Sequence, residues 1–462
     1  MEQSQMNKQK CSARESDQFK HLWMPFTYYN EQLEYPPIVI ERGSGIYVYD
    51  KEGRGYIDAI GSWWTSIFGH NHPVITDAVK AQLDKIEHVM MAGFISEPAL
   101  RLSQLLGALL PQKLTRIFYS DDGSTAVEVA LKIALQYHAL RGDSRSEFVS
   151  FDGGYHGDTL GAMSVGSIPM YHSLFHERFK KQHFANSPYC YRCPVGCEAV
   201  SCSAQCMDSL ESILKSRGES IAACIFEPMV QGAVGMRVYP PKVLKRIFSL
   251  CKQYNILTIA DEVAMGLGRT GKLFACDHAG ETPDIMCLAK GLTGGYLPLS
   301  ATVVTEAIFE EFQGDFGSER IFNHGHTFTG NPLATAAACA AVSLLQINKI
   351  PESLQQISQK FAQRLESFRK FDVVGDIRTL GLVGAIELVK NKSTKAPFDS
   401  LSRFSWHVAR KALEYGCIIR PLGDILYFMP PFITSEEQID NMISITEKAL
   451  KETIDEHITD IR

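Results

Sequence analysis

The run ILTIADEVAMGLGRTG sets Asp261 at the end of an apolar stretch, and PDIMCLAKGLTGGYLPLS sets Lys290 just past another. Open sheets bind ligands at the carboxyl ends of their strands, so both side chains fall where a site would form. A lysine amine can join an aldehyde covalently, and a carboxylate can keep a ring nitrogen protonated so that the ring withdraws electrons from a substrate carbon. Pyridoxal 5'-phosphate needs that pair. Taken singly, each residue reads more readily as a helix cap or a surface lysine. Gly291, Gly294 and Gly295 weaken the plainer reading, because glycine lets backbone come close to a ligand.

A phosphate needs donors. The loop Ser120-Asp121-Asp122-Gly123-Ser124-Thr125 runs from the apolar stretch Thr115 to Tyr119 into the helical AVEVALKIALQYHAL. Backbone N–H groups of Gly123 and Ser124 at a helix start would hold an anion through the helix dipole. The same residue types are also routine N-caps. His324-Gly325-His326-Thr327, before FTGNPLA, is a second loop of this kind and carries the same two readings.

Whatever positions these residues is globular and mixed in charge. The 462 residues carry 46 basic and 52 acidic side chains, a formal charge of -6, and are 45% hydrophobic. At roughly 150 residues per domain the length allows two or three domains and excludes a disordered or fibrous chain. A mildly acidic surface offers no electrostatic reason to bind nucleic acid or an anionic membrane. Twelve cysteines are too few for a disulfide scaffold, and the polar leader to about Lys20 has no secretory core, so a cytoplasmic protein is expected. The longest small-apolar run, Ala334 to Leu345, is shorter than the roughly 20 residues a span requires, so no membrane segment is expected.

Ile38 to Tyr49 and Tyr56 to Ile60 read as short antiparallel strands with glycine turns. From Pro73 onward, helical stretches alternate with the apolar runs Thr115 to Tyr119, Phe148 to Phe151, Ile221 to Phe226, Ile256 to Ala260 and Ile285 to Leu288. That alternation predicts an α/β core with a parallel or mixed sheet covered on both faces. The last third predicts helices over 332–346, 352–370 and 403–415, strands over 381–388, 417–420 and 425–429, and a final amphipathic helix from Ser435. The expected division is an N-terminal segment 1–72, a large domain 73–330, and a C-terminal part 331–462 that joins the N-terminal segment in a smaller α+β domain.

Together these segments resemble the class III, fold-type I pyridoxal-phosphate aminotransferases, from His21 to the last helix. DEVAMGLGRTGKLFACDH and AKGLTGGYLPLSAT are specific in combination. The resemblance implies that Lys290 is the covalent cofactor lysine and Asp261 the partner of the ring nitrogen. It also implies that Gly123, Ser124, Tyr155 and His326 line the cofactor, with Tyr155 near the chemistry. Thr327 would reach the phosphate from a second subunit, which makes the protein a homodimer. Within the class, HLWMPFT, GSWWTSIFGHNHP, GYHGDTLGAMSV and RPLGDILYFMPP resemble the enzymes that aminate 8-amino-7-oxononanoate in biotin synthesis. By that resemblance Phe26, Trp63, Asp158, Gly325, Arg420 and Tyr427 form the substrate pocket. Arg420 takes the keto-acid's carboxylate, a role that suits a planar bidentate donor. Two adjacent tryptophans on a strand point to opposite faces, so at most one of Trp63 and Trp64 is expected to face the ligand.

Two departures stand out. Members of this subfamily that use S-adenosylmethionine typically carry tyrosine where this chain has Phe26, a loss of one possible hydrogen bond worth roughly 0.5 to 1.5 kcal/mol. Lysine is the alternative donor; Asp158 suits either, and Tyr427 matches the S-adenosylmethionine pattern, which stays the leading reading. Another class III enzyme acting on an ω-amine is the further alternative. The second departure is Cys190, Cys193, Cys197, Cys202 and Cys206 in one short stretch. The first pair has zinc-ribbon spacing but no second pair follows it, so a loop insertion without metal is expected.

Overall fold

The computed structural model of the protein describes residues 19–176, 182–198 and 201–457. The polar leader before residue 19 lies outside the described residues. At the centre is a seven-stranded sheet of β4 (Leu114–Ser120), β5 (Glu147–Phe151), β6 (His183–Ala185), β7 (Ile221–Phe226), β10 (Leu257–Asp261), β11 (Ile285–Leu288) and β12 (Ser300–Thr305), ordered β4-β12-β11-β10-β7-β5-β6. The apolar runs became these strands because both faces are covered; β7 and β11 are buried at every position. All strands run parallel except β12, which lies antiparallel to both β11 and β4. The sequence reading left out β12 and β6. β12 opens Ser-Ala-Thr, and β6 has only three residues, so neither shows an apolar run.

The helix Gly123–Leu140 covers one face of this sheet, against β11 and β12. The helix Pro332–Ile347 packs on Pro73–Leu83 and Glu97–Leu109. It is apolar nearly all round because it is buried, and among the described residues no single helix is long and apolar enough to cross a membrane.

Two smaller sheets flank the core. β1 (Ile40–Ser44), β2 (Tyr47–Asp50) and β3 (Gly55–Asp58) form the expected antiparallel meander, and β15 (Cys417–Ile418) joins β3 in parallel. β13 (Val374–Leu380), β14 (Val383–Leu388) and β16 (Ile425–Phe428) form an antiparallel sheet. The stretches 417–420 and 425–429, neighbours in sequence, thus enter different sheets. A two-stranded ribbon, β8 (Val230–Gln231) with β9 (Arg237–Val238), completes the strands. The expected helix over 352–370 is helical at Gln355–Leu365, with 3-10 turns at either end. The last helix, Glu436–Glu456, starts on a capping box between Ser435 and Gln438.

Candidate active site

The carboxyl ends of the parallel strands meet at a cavity of about 1180 Å³. β10 ends on Asp261, Glu227 follows β7, Tyr155 and His156 follow β5, and Lys290 follows β11. All five line the cavity.

Lys290 has a left-handed backbone (φ 48°), and its Nζ stands 4.4 Å from the centre of the Trp64 ring. Enclosure of the amine lowers its pKa to about 8, while the carboxylates of Asp261 and Glu227 act to hold its proton. Asp261 is fixed from two sides. His156 Nδ1 donates to its Oδ2 at 2.8 Å, and the Val263 N–H donates to its Oδ1 at 3.1 Å. Glu227 accepts the N–H groups of Tyr155 at 3.1 Å and Gly232 at 2.7 Å, and burial raises its carboxyl to about 7.

The glycines around Lys290 serve packing. A side chain on Gly295 would come within 2.9 Å of the Thr65 backbone, and one on Gly291 within 3.1 Å of Ile67. The expectation that they open the way to a ligand gives way to this one: they seat the Lys290 turn against the segment after the twin tryptophans.

At the start of Gly123–Leu140, the Asp122 side chain accepts from the Thr125 N–H at 3.0 Å, closing a capping box. The N–H groups of Gly123 and Ser124 have no partner among the described residues and sit where an anion would be held. Gly123 is required here, since a Cβ would come 2.7 Å from Val263 beside Asp261. Tyr155 donates to Asp158 Oδ2 at 2.8 Å, and the Asp158 N–H donates to Ser124 Oγ at 3.3 Å. Asp158 is therefore tied to the cavity wall through Tyr155 without lining the cavity itself.

The tryptophans correct another expectation. Gly61–Trp64 is a tight left-handed turn, not a strand, with Ser62, Trp63 and Trp64 all at positive φ. Both rings consequently line the cavity, Trp64 buried over Lys290 and Trp63 part-exposed nearer the mouth. Arg420 lies with its guanidinium 4.9 Å from the centre of Trp63, and Phe26 packs edge-on to Trp63 and Tyr171.

Tyr427 does not complete the wall. It is fully buried behind Trp64, ring edge to ring face at 6.0 Å, on a strand whose every residue is buried. The 324–327 loop is also absent from this chain's cavity. Its His326 pairs with Asp121 at 2.7 Å, while Gly325 and Thr327 are exposed. Sequence reading missed His156, Glu227, Trp64 and Tyr171 as cavity residues. Glu227 could have been found, since it stands at a strand's carboxyl end as Asp261 does.

The five clustered cysteines are free thiols, and among the described residues no three His, Cys, Asp or Glu side chains are arranged to hold a metal. Burial raises the Cys206 thiol to about 12 and raises Cys190 as well.

The cavity fits pyridoxal 5'-phosphate by the chemistry of its groups: an enclosed amine of lowered proton affinity, a fixed carboxylate, and unpartnered N–H donors at a helix start. Comparison with known proteins points the same way. The family model described as Aminotransferase class-III matches residues 28–450. Adenosylmethionine-8-amino-7-oxononanoate aminotransferase of Geobacter sulfurreducens is 41% identical over 433 residues, 93% of this chain and 96% of the relative. The crystal structure of the enzyme of that name from Methanocaldococcus jannaschii superposes with a TM-score of 0.90 at 38% identity, covering 96% of this chain and 99% of that one. An amine transaminase from an uncultivated Pseudomonas species, in its PLP-bound form, superposes with a TM-score of 0.89 at 33% identity, covering 94% and 98%.

Proposed function

The chain belongs to the class III aminotransferases, and from that premise we propose that it transfers an amino group to 8-amino-7-oxononanoate, giving 7,8-diaminononanoate for biotin synthesis. Its cofactor is pyridoxal 5'-phosphate. When bound, the cofactor supplies an aldehyde carbon that exchanges one amine for another and a ring that withdraws electrons. Lys290 is the residue that would hold it covalently and, once free, move a proton at its Nζ, which a lowered proton affinity suits. Asp261, oriented by His156, would keep the ring nitrogen protonated. Gly123 and Ser124 would take the phosphate oxygens through their N–H groups.

The observation that carries the substrate reading is Arg420 laid over Trp63 at the cavity mouth, beside Phe26 and Tyr171. A flat cation backed by apolar rings suits a long keto-acid ending in a carboxylate. Tyr155, held to Asp158, forms the adjoining wall. The names of the relatives support the same substrate, and they support S-adenosylmethionine as donor. Phe26 leaves its place on the wall without a hydroxyl, which makes lysine the second donor to try.

We read the working unit as a homodimer. Thr327, with Gly325 and His326, lies outside its own chain's cavity and would serve the partner's, Thr327 on the phosphate. The exposed Met90, Phe94, Ile95 and Phe328 offer an apolar face for the contact. The test is to supply 8-amino-7-oxononanoate with each donor separately and weigh the product. Diamine with S-adenosylmethionine supports the reading; diamine with lysine alone corrects the donor; no diamine with either refutes the substrate.

A further inference from the structure

Gly61, Ser62, Trp63 and Trp64 follow one another at φ 55°, 45°, 65° and 77°. Only glycine is at ease in that region, so three successive L-residues there persist only where neighbours hold them. The holding contact lies behind the turn. Ser62 Oγ donates to Asp58 Oδ2 at 2.7 Å, and His70 Nε2 donates to the same oxygen at 2.9 Å. Asp58 is 2% exposed. It faces a second cavity of about 500 Å³, whose wall includes His70 and Ser62, and Ser62 lines both this cavity and the main one.

Asp58 also marks where two parts of the chain join. It pairs with Ile418 of β15, two residues before Arg420, and the Ala59 N–H donates to the Ile418 carbonyl. The tryptophan turn and Arg420 therefore leave the same strand pair on neighbouring strands. The angle between Trp63 and the guanidinium depends on how that turn is held.

We infer that Asp58, backed by His70, is a positioning residue. Through Ser62 it holds the twin-tryptophan turn in its left-handed form, which sets Trp63 under Arg420 and Trp64 over Lys290. Its effect on substrate rests on the function proposed above; its effect on the turn does not.

The test uses the holoenzyme labelled with fluorotryptophan, with two variants. Ser62→Ala removes the hydroxyl and keeps a side chain that is not at ease at φ 45°, so only the contact to Asp58 is lost; a contact that served stability alone would lower the melting temperature and leave the tryptophans in place. Asp58→Asn keeps the shape and removes the charge. Positioning predicts that the Trp63 and Trp64 resonances shift or broaden in both variants while those of Trp23 and Trp406 stay put. The KM for the keto-acid should rise about tenfold in Ser62→Ala, the size of one lost hydrogen bond, with the cofactor's absorbance retained. Ser62→Asn, which tolerates the left-handed region and whose amide can donate to Asp58, should restore both. Unmoved Trp63 and Trp64 resonances in Ser62→Ala overturn the inference. Moved resonances in an enzyme that does not act on 8-amino-7-oxononanoate uphold the positioning role and refute only the substrate.

Discussion

Glu227→Gln tests the electrostatics of the reactive amine. At pH 7 an amine with its pKa near 8 is about one-tenth neutral, whereas a lysine near 10.5 is neutral in roughly three molecules in ten thousand. Enclosure therefore raises the neutral fraction of Lys290 about three-hundredfold. Of the two carboxylates that act against this, Glu227 is the one not assigned to the cofactor ring. Its own pKa near 7 leaves it largely ionised where Lys290 titrates. Glutamine is nearly isosteric and removes that charge, so the Lys290 midpoint should fall from about 8 to roughly 7. The assay is pulse labelling of cofactor-free protein with an amine reagent across pH, with the label mapped to Lys290. A wild-type midpoint near 10, or an upward movement in the variant, would refute the account.

The same substitution has a thermodynamic signature. A carboxyl whose pKa rises from 4.5 to about 7 on folding adds stability that is full below 4.5 and lost as pH climbs through 7. Wild type should thus lose about 2.5 kcal/mol between pH 5 and pH 8 that Glu227→Gln does not lose; equal losses in paired urea titrations would count against the buried carboxyl. Arg420→Ala should raise the keto-acid KM by about ten- to a hundredfold, the range for a hydrogen bond to a charge. Arg420→Lys should recover little, because it lacks the flat plate that lies on Trp63; steady-state kinetics decide both. If Thr327 serves the partner's site, mixing inactive Lys290→Ala chains with impaired Thr327→Ala chains should yield hybrids with one intact site and restored turnover. No gain on mixing would place Thr327 elsewhere.

What the sequence revealed follows from what each feature depends on. Lys290, Asp261 and the Gly123 loop were legible because a strand buried on both faces must be an unbroken apolar run, and its end locates a site without further knowledge. The tryptophan turn was not, because its hand is set by Gly61 and by Asp58 behind it, a contact that no alternation pattern encodes. Tyr427 failed for a related reason. Its strand was predicted, but β16 pairs with β14 and is buried at every residue, so Tyr427 packs behind Trp64 and no residue of the strand reaches the cavity. β12 was missed because small polar residues can fill an interior strand when their hydroxyls are satisfied, as where Ser300 meets Ser120 at 2.8 Å and Thr302 reaches the Ala126 carbonyl.

The two ends of the cavity come from different parts of the chain. The groups of the reactive end from Gly123 to Lys290 stand at the carboxyl ends of the central sheet's strands, whose ladder hydrogen bonds set the positions of Asp261, Glu227 and Lys290 relative to one another, with Trp64 alone reaching in from the turn after β3. The proposed recognition end, Trp63 with Arg420, hangs on two residue pairs between β3 and β15, brought together from opposite ends of the sequence. A short parallel pair constrains less than a seven-stranded sheet. Changes at Ile418 should therefore move KM for the long substrate and spare chemistry on the donor, changes at Asp58 or Ser62, which also hold Trp64 over Lys290, should touch both, and changes at His156 or Glu227 should move the chemistry with either. A class that keeps one reaction while varying its substrates would need such a division, with the amine and its carboxylates on the rigid sheet and the arginine proposed to recognise the substrate on the smaller one.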